Sequence, residues 1–205
     1  MSPRGVAIPD VQRQLFDAAE RVLQREGPDG LNSRAITTEA GTAKGLLYRH
    51  FADLDAFLAA FVLDRAARLA DRVSALPQRA GIGNVADNLT DAALSVAPQA
   101  SALIDLIRGR WSLGAHLGRT RQPHAGALLA LERAFAAYLD AERTTGRIAA
   151  QADTDALATA LVGAVHQLAI TPRSRADLER QTRRVVAALV GGILLGDQGD
   201  QPPVT

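Results

Sequence analysis

Apolar residues recur at helical spacing along almost the whole of this 205-residue chain. Leu15, Ala19, Val22 and Leu23 stand at i, i+4, i+7 and i+8 with Phe16 beside them, the stripe of one amphipathic helix. Asp10 stands where its N-cap belongs, and Gly27-Pro28 ends it. Ile36, Thr37 and Ala40 give a second, shorter helix one compact side, with Asn32 or Ser33 as cap. Leu47 and Phe51 give a third helix the matching side. Gly41 lies between them, where a chain reversing direction after a helix needs a residue at positive φ. From Asp53 as a cap, the positions Leu54, Phe57, Leu58, Phe61 and Val62 predict a long fourth helix toward Leu76, stopped by Pro77.

The remainder keeps the same period. Pro77 to Asn84 reads as a loop. Ile82, Val85, Leu89 and Val96 mark a helix ending near Pro98, and another runs from about Ala100 to Arg108. Trp111 opens a glycine-punctuated stretch to Pro123. Leu128, Leu131, Phe135, Tyr138 and Leu139 form a helix that stops at Gly146, and Gly146 to Asp155 is a polar connection. Two further helices follow, Asp155 to about Ile170 and Ser174 to about Leu195, with Ser174 and Asp177 at capping-box spacing. Both are apolar around much of their circumference, so each buries more than one side, within its own domain or against a second copy. No strand alternation and no internal repeat occurs, and the predicted class is all-α.

The first three helices make a unit the size of a homeodomain-like DNA reader. With Leu47 facing inward, the opposite side of the third helix presents Gly45 and Arg49, flanked by Leu46 and Tyr48, with Lys44 on the first turn. Cations beside a residue without a side chain suit a helix laid in a major groove. The same spacing also describes an ordinary packing pair of helices with surface charges.

Charge narrows this further. The formal net charge is +1, so any nucleic-acid contact must come from a local cluster and not from a general positive coat. Lys44 is the sole lysine, and it falls on that third helix. Aromatic residues are only 4% of the chain, which favours helices over sheets. The absence of cysteine excludes disulfides, thiolate metal sites and a cysteine nucleophile. His50, His116, His124 and His166 have no metal-ligand spacing, and no Ser-His-Asp grouping or phosphate loop is visible. We expect no enzyme activity, cofactor or metal. Without a signal peptide or a membrane-length apolar run, a cytoplasmic protein is expected.

The segment Leu31 to Leu58 carries Ala40-Gly41 and then Lys44-Gly45-Leu46-Leu47-Tyr48-Arg49-His50-Phe51. It closely resembles the helix-turn-helix of TetR-family transcriptional regulators, in which an Ala-Gly turn precedes Lys-Gly-x-Leu-Tyr-x-His-Phe. The resemblance implies a DNA-binding domain over residues 1–53, with 1–9 a flexible arm, then a ligand-binding and dimerisation domain over 54–196 and a disordered tail, 197–205. It implies a homodimer through the last two helices, a palindromic operator in double-stranded DNA, and a small-molecule effector that releases it, most commonly from repression. Lys44, Tyr48 and His50 take phosphate-positioning roles and Gly45 the close approach, while Leu46 and Arg49 set sequence preference. Arg34 and Thr42 complete the DNA-binding set. A ligand pocket would draw on Trp111, His116, Phe135, Tyr138 and His166, each of which has a core or surface role as its competing reading.

The chain departs from that pattern in three places. Ala43 stands where serine is usual and cannot cap the third helix, a role Thr42 is the candidate to take over; Leu46 replaces a frequent threonine; Leu54 replaces a common lysine. A helical ligand-binding protein with weakened or lost DNA binding is therefore the alternative.

Overall fold

The computed structural model describes residues 8–119, 121–171 and 173–195, which form nine α-helices and two short 3-10 turns. The expected tail and residues 1–7 of the expected arm lie outside them. The chain divides into two compact units, one of residues up to Arg65 together with Ala102–His124, the other of Ala66–Ser101 and the residues from Ala125 onward.

The first unit contains α1 (Ile8–Glu26), α2 (Ser33–Glu39), α3 (Lys44–His50), the start of α4 (Leu54–Val73) and α6 (Trp111–Arg119). Helix α1 begins at Ile8, so Asp10 lies inside its first turn instead of capping it. The predicted stripes meet as one core: Leu15, Val22, Leu31, Ile36, Leu47, Phe57, Leu58 and Phe61 are fully buried. Phe16 lies 5.5 Å from Phe57 and 6.1 Å from both Phe51 and Phe61, ring centre to ring centre. Phe51 meets Phe57 edge-on at 5.1 Å, a geometry that adds to simple area burial. Arg65 is buried within this unit, held by Asp17 at 2.7 Å and Glu20 at 3.2 Å, with its guanidinium over the Phe61 ring. The glycine-punctuated stretch from Trp111 is helical as α6, and Leu113 is buried beside Gly114.

The second unit takes the rest of α4, most of α5 (Val85–Gly109) and of α7 (Arg121–Thr144), and all of α8 (Thr154–Ile170) and α9 (Arg175–Val190). Helix α5 passes through Pro98, where two separate helices are predicted. Proline removes one backbone hydrogen bond, but Val96 and Ala97 before it and Leu103 after it are buried, and Ser101 Oγ donates to the Ala97 and Ala169 carbonyls. Packing outweighs the local break. Asp153 caps α8 and Ser174 caps α9, each through the amide three residues on. Helix α9 ends at Val190 and not near Leu195: after Gly191-Gly192 the chain turns out of the helix, and Ile148 and Leu194 form an isolated antiparallel bridge. The Ala149 amide donates to Ile193 and the Leu195 amide to Arg147, so these carbonyls and amides find partners that a longer helix would not give them.

A buried polar network holds the loop before α5. Glu142 is fully buried and accepts from the Gly81 amide at 3.1 Å and pairs with Arg147 at 3.2 Å. Tyr138 donates to Glu142 and accepts from Asn88 at 2.9 Å, and Asn88 also donates to the Ile82 carbonyl. Burial, followed by the hydrogen bond to the Glu142 carboxylate, holds the Tyr138 phenol well above its ordinary range.

Candidate nucleic-acid interface

Asn32 begins the reader. Its side chain accepts from the Ala35 amide at 2.9 Å, so of the two candidates it is Asn32 that caps α2. At the other end Gly41 takes φ 64°, its amide donates to Thr38 and the Thr42 amide donates back to Thr37, the paired bonds of a Schellman turn. Gln14 of α1 donates to the Ala40 carbonyl at 2.8 Å and fixes that corner from behind.

Helix α3 is anchored by Leu47 on its inner side and ends where the Phe51 amide donates to Leu47. Its outer side carries Lys44, Gly45, Tyr48 and Arg49, all exposed, with Leu46 and His50 half-buried at its edges. A Cβ built on Gly45 would meet nothing within 4 Å, so the fold itself makes no demand for glycine there. Arg34 is exposed on the first turn of α2. The start of α3 is its weak point. Ala43 occupies the N-cap with extended backbone and no side-chain bond, and Thr42 does not substitute: its hydroxyl is buried and without a hydrogen-bond partner. Arg21 and Arg25 of α1 are engaged by Glu39, at 2.6 and 3.0 Å, and these hydrogen bonds hold the Glu39 carboxyl below its ordinary range.

Arg110, absent from the sequence-level set, stands 79 residues from its partner. Its guanidinium donates to the Leu31 carbonyl, immediately before the cap of α2. No local signal marks such a contact, because neither periodicity nor capping relates the two positions.

Residues 15–61 match the model for bacterial regulatory proteins of the tetR family. Over this segment the chain is similar to that family. Solved structures share the fold through nearly its full length. A putative TetR-family transcriptional regulator from Mesorhizobium loti is 21% identical, with 93% of this chain and 100% of that one covered at a TM-score of 0.67. A TetR transcription regulator from Haloarcula marismortui is 17% identical, with 92% and 100% covered at 0.68. The FadR regulator from Bacillus subtilis, in complex with stearoyl-CoA, is 17% identical, with 88% and 98% covered at 0.60. No curated protein sequence matches the chain.

The residues expected to line a ligand pocket do not all fall in one unit. Trp111 opens α6 and His116 follows on it, both in the first unit; the side chain of Trp111 is outside the described residues. His116 is half-buried, with Nδ1 3.1 Å from the Ser112 carbonyl. Phe135 and Tyr138 are core residues of the second unit, and His166 is half-buried on α8. None of the four other than Trp111 lines the cleft of about 420 Å³ between α7 and α8, walled by Leu129, Glu132, Asp140, Asp155 and Thr159 among others. Among the described residues no group of three or more His, Asp or Glu side chains is placed to hold a metal ion, and no helix is long and apolar enough to cross a membrane.

Proposed function

We propose that this protein is a transcriptional regulator that reads a palindromic operator as a homodimer, and that a small-molecule effector releases it, most simply from repression. One observation carries the reading. Lys44, Gly45, Tyr48 and Arg49 share the exposed side of α3, while Leu47 on its other side is fully buried. Within the set, Lys44, Tyr48, His50 and Arg34 are assigned to phosphates, and Arg49 with Leu46 to base edges. Thr42 supports the turn, its hydroxyl being enclosed.

Dimerisation through α8 and α9 is supported by their outer sides. Ala156, Ala160 and Gly163 at i, i+4 and i+7 are exposed on α8, as are Ala187, Ala188 and Gly191 at the end of α9. Small residues let helices of a second copy approach closely, and a two-fold axis would set two readers about 34–36 Å apart. The stearoyl-CoA complex of the FadR neighbour supports a small-molecule effector in the same fold. Such an effector acts by linkage: it lowers DNA affinity by the factor by which DNA lowers its own. The uncapped start of α3 favours one second reading, a ligand-binding helical protein whose reader has weakened.

Fragments of the protein's own promoter, titrated over a salt series, separate the two. Saturable retention is expected, and Lys44→Ala should lower the slope of log affinity against log salt by about one. If no fragment binds saturably at low salt, the regulator reading is lost.

A further inference from the structure

We propose that Arg110 is the positioning residue of the DNA reader; the inference rests on the regulator reading above. Arg110 lies between the last residue of α5 and the first of α6. Its guanidinium reaches two places at once. It donates to the carbonyl of Leu31, and its Nη1 is 3.9 Å from Asp55 Oδ1. Leu31 is fully buried and directly precedes the cap of α2, and Asp55 lies in the first turn of α4. One side chain therefore touches the chain just before the helix-turn-helix and just after it.

The same short segment brings a second side chain near the start of α4. His116 Nε2 is 4.0 Å from Asp53, and Asp53 is the cap of α4, accepting from the Ala56 amide at 2.7 Å. Helices α2 and α3 have seven residues each. Helices that short are not stable alone, so their pose depends on what grips their ends. A guanidinium suits that task because its planar fork holds two acceptors in a fixed geometry, which an ammonium does not. The Arg110 side chain is only 26% exposed, so these contacts are partly shielded from water and salt.

The test uses the full chain with Arg110→Ala and Arg110→Lys. Operator affinity is measured over a salt series, and amide hydrogen exchange is measured on the protein without DNA. Arg110→Ala is expected to weaken operator binding by about tenfold, the cost of roughly one mis-seated base pair, with an unchanged salt slope. Faster exchange should be confined to the amides of residues 34–40 and 54–57, with α8 unaffected. Arg110→Lys should restore part of the affinity, since it can still donate to Leu31. Affinity and exchange both unchanged in Arg110→Ala would overturn the proposal. So would a salt slope lower by about one, which would make Arg110 a direct phosphate contact. Loss of protection throughout the chain would also overturn it, as a general folding role. If the wild type binds no fragment, the regulator reading fails by itself, and the exchange pattern alone decides whether Arg110 holds α2 and α4.

Discussion

Ala43→Ser should stabilise the first unit, and the size of the effect follows from its own helices. Asn32, Asp53, Asp153 and Ser174 each cap a helix by accepting from the amide three residues on, at 2.7 to 3.2 Å. Ala43 already has N-cap backbone, φ −69° and ψ 141°, and lacks only the oxygen. A serine there would accept from the Leu46 amide, which now donates only to the Ala43 carbonyl at 2.9 Å. Replacing Ala by Ser at an N-cap is worth about 1 kcal/mol. In a domain of about 60 to 100 residues that corresponds to roughly 4–8 °C in Tm. Urea denaturation and thermal melting followed by circular dichroism measure it, with Ala43→Val as the control that adds volume without an acceptor. A gain shared by both variants would mean that volume, and not capping, was missing. No gain from serine would show that the start of α3 is satisfied in another way, and the account of its weakness would be wrong.

Other consequences can be checked alongside. Thr42→Val keeps the shape and removes a buried hydroxyl without a partner, so it should raise the urea midpoint by the equivalent of about 1 kcal/mol. Tyr138→Phe should do the opposite, by about 1–2 kcal/mol, because it strips buried Glu142 of a donor and Asn88 of an acceptor; the chevron or equilibrium midpoint reads it. The Glu39 carboxyl is held below its ordinary range in the fold, so its contribution is present above the unfolded value and is lost as pH falls through the native one. Melting Glu39→Gln beside wild type from neutral to acid should show the gap closing on acidification, and closing too in high salt, because the pairs are exposed.

What the sequence alone determined here is what lies within a few turns of itself. The stripes of α1 to α4, the cap at Asn32 or its neighbour, the positive φ of Gly41 and the outward row on α3 all follow from 3.6-residue periodicity and local hydrogen bonding, and the family pattern lies in the same stretch. Local rules also produced the misreadings. Pro98 reads as a break, but buried side chains on either side carry the helix through it. At Gly191-Gly192 the apolar pattern runs on while the backbone leaves the helix to pair with residues 147–149. Which hydroxyl is stranded at Thr42, which carboxylate is fully buried at Glu142, and which arginine reaches Leu31 were decided by tertiary structure. Each depends on groups far apart in the chain being brought within hydrogen-bond distance, and burial fixes the cost of leaving them unpaired.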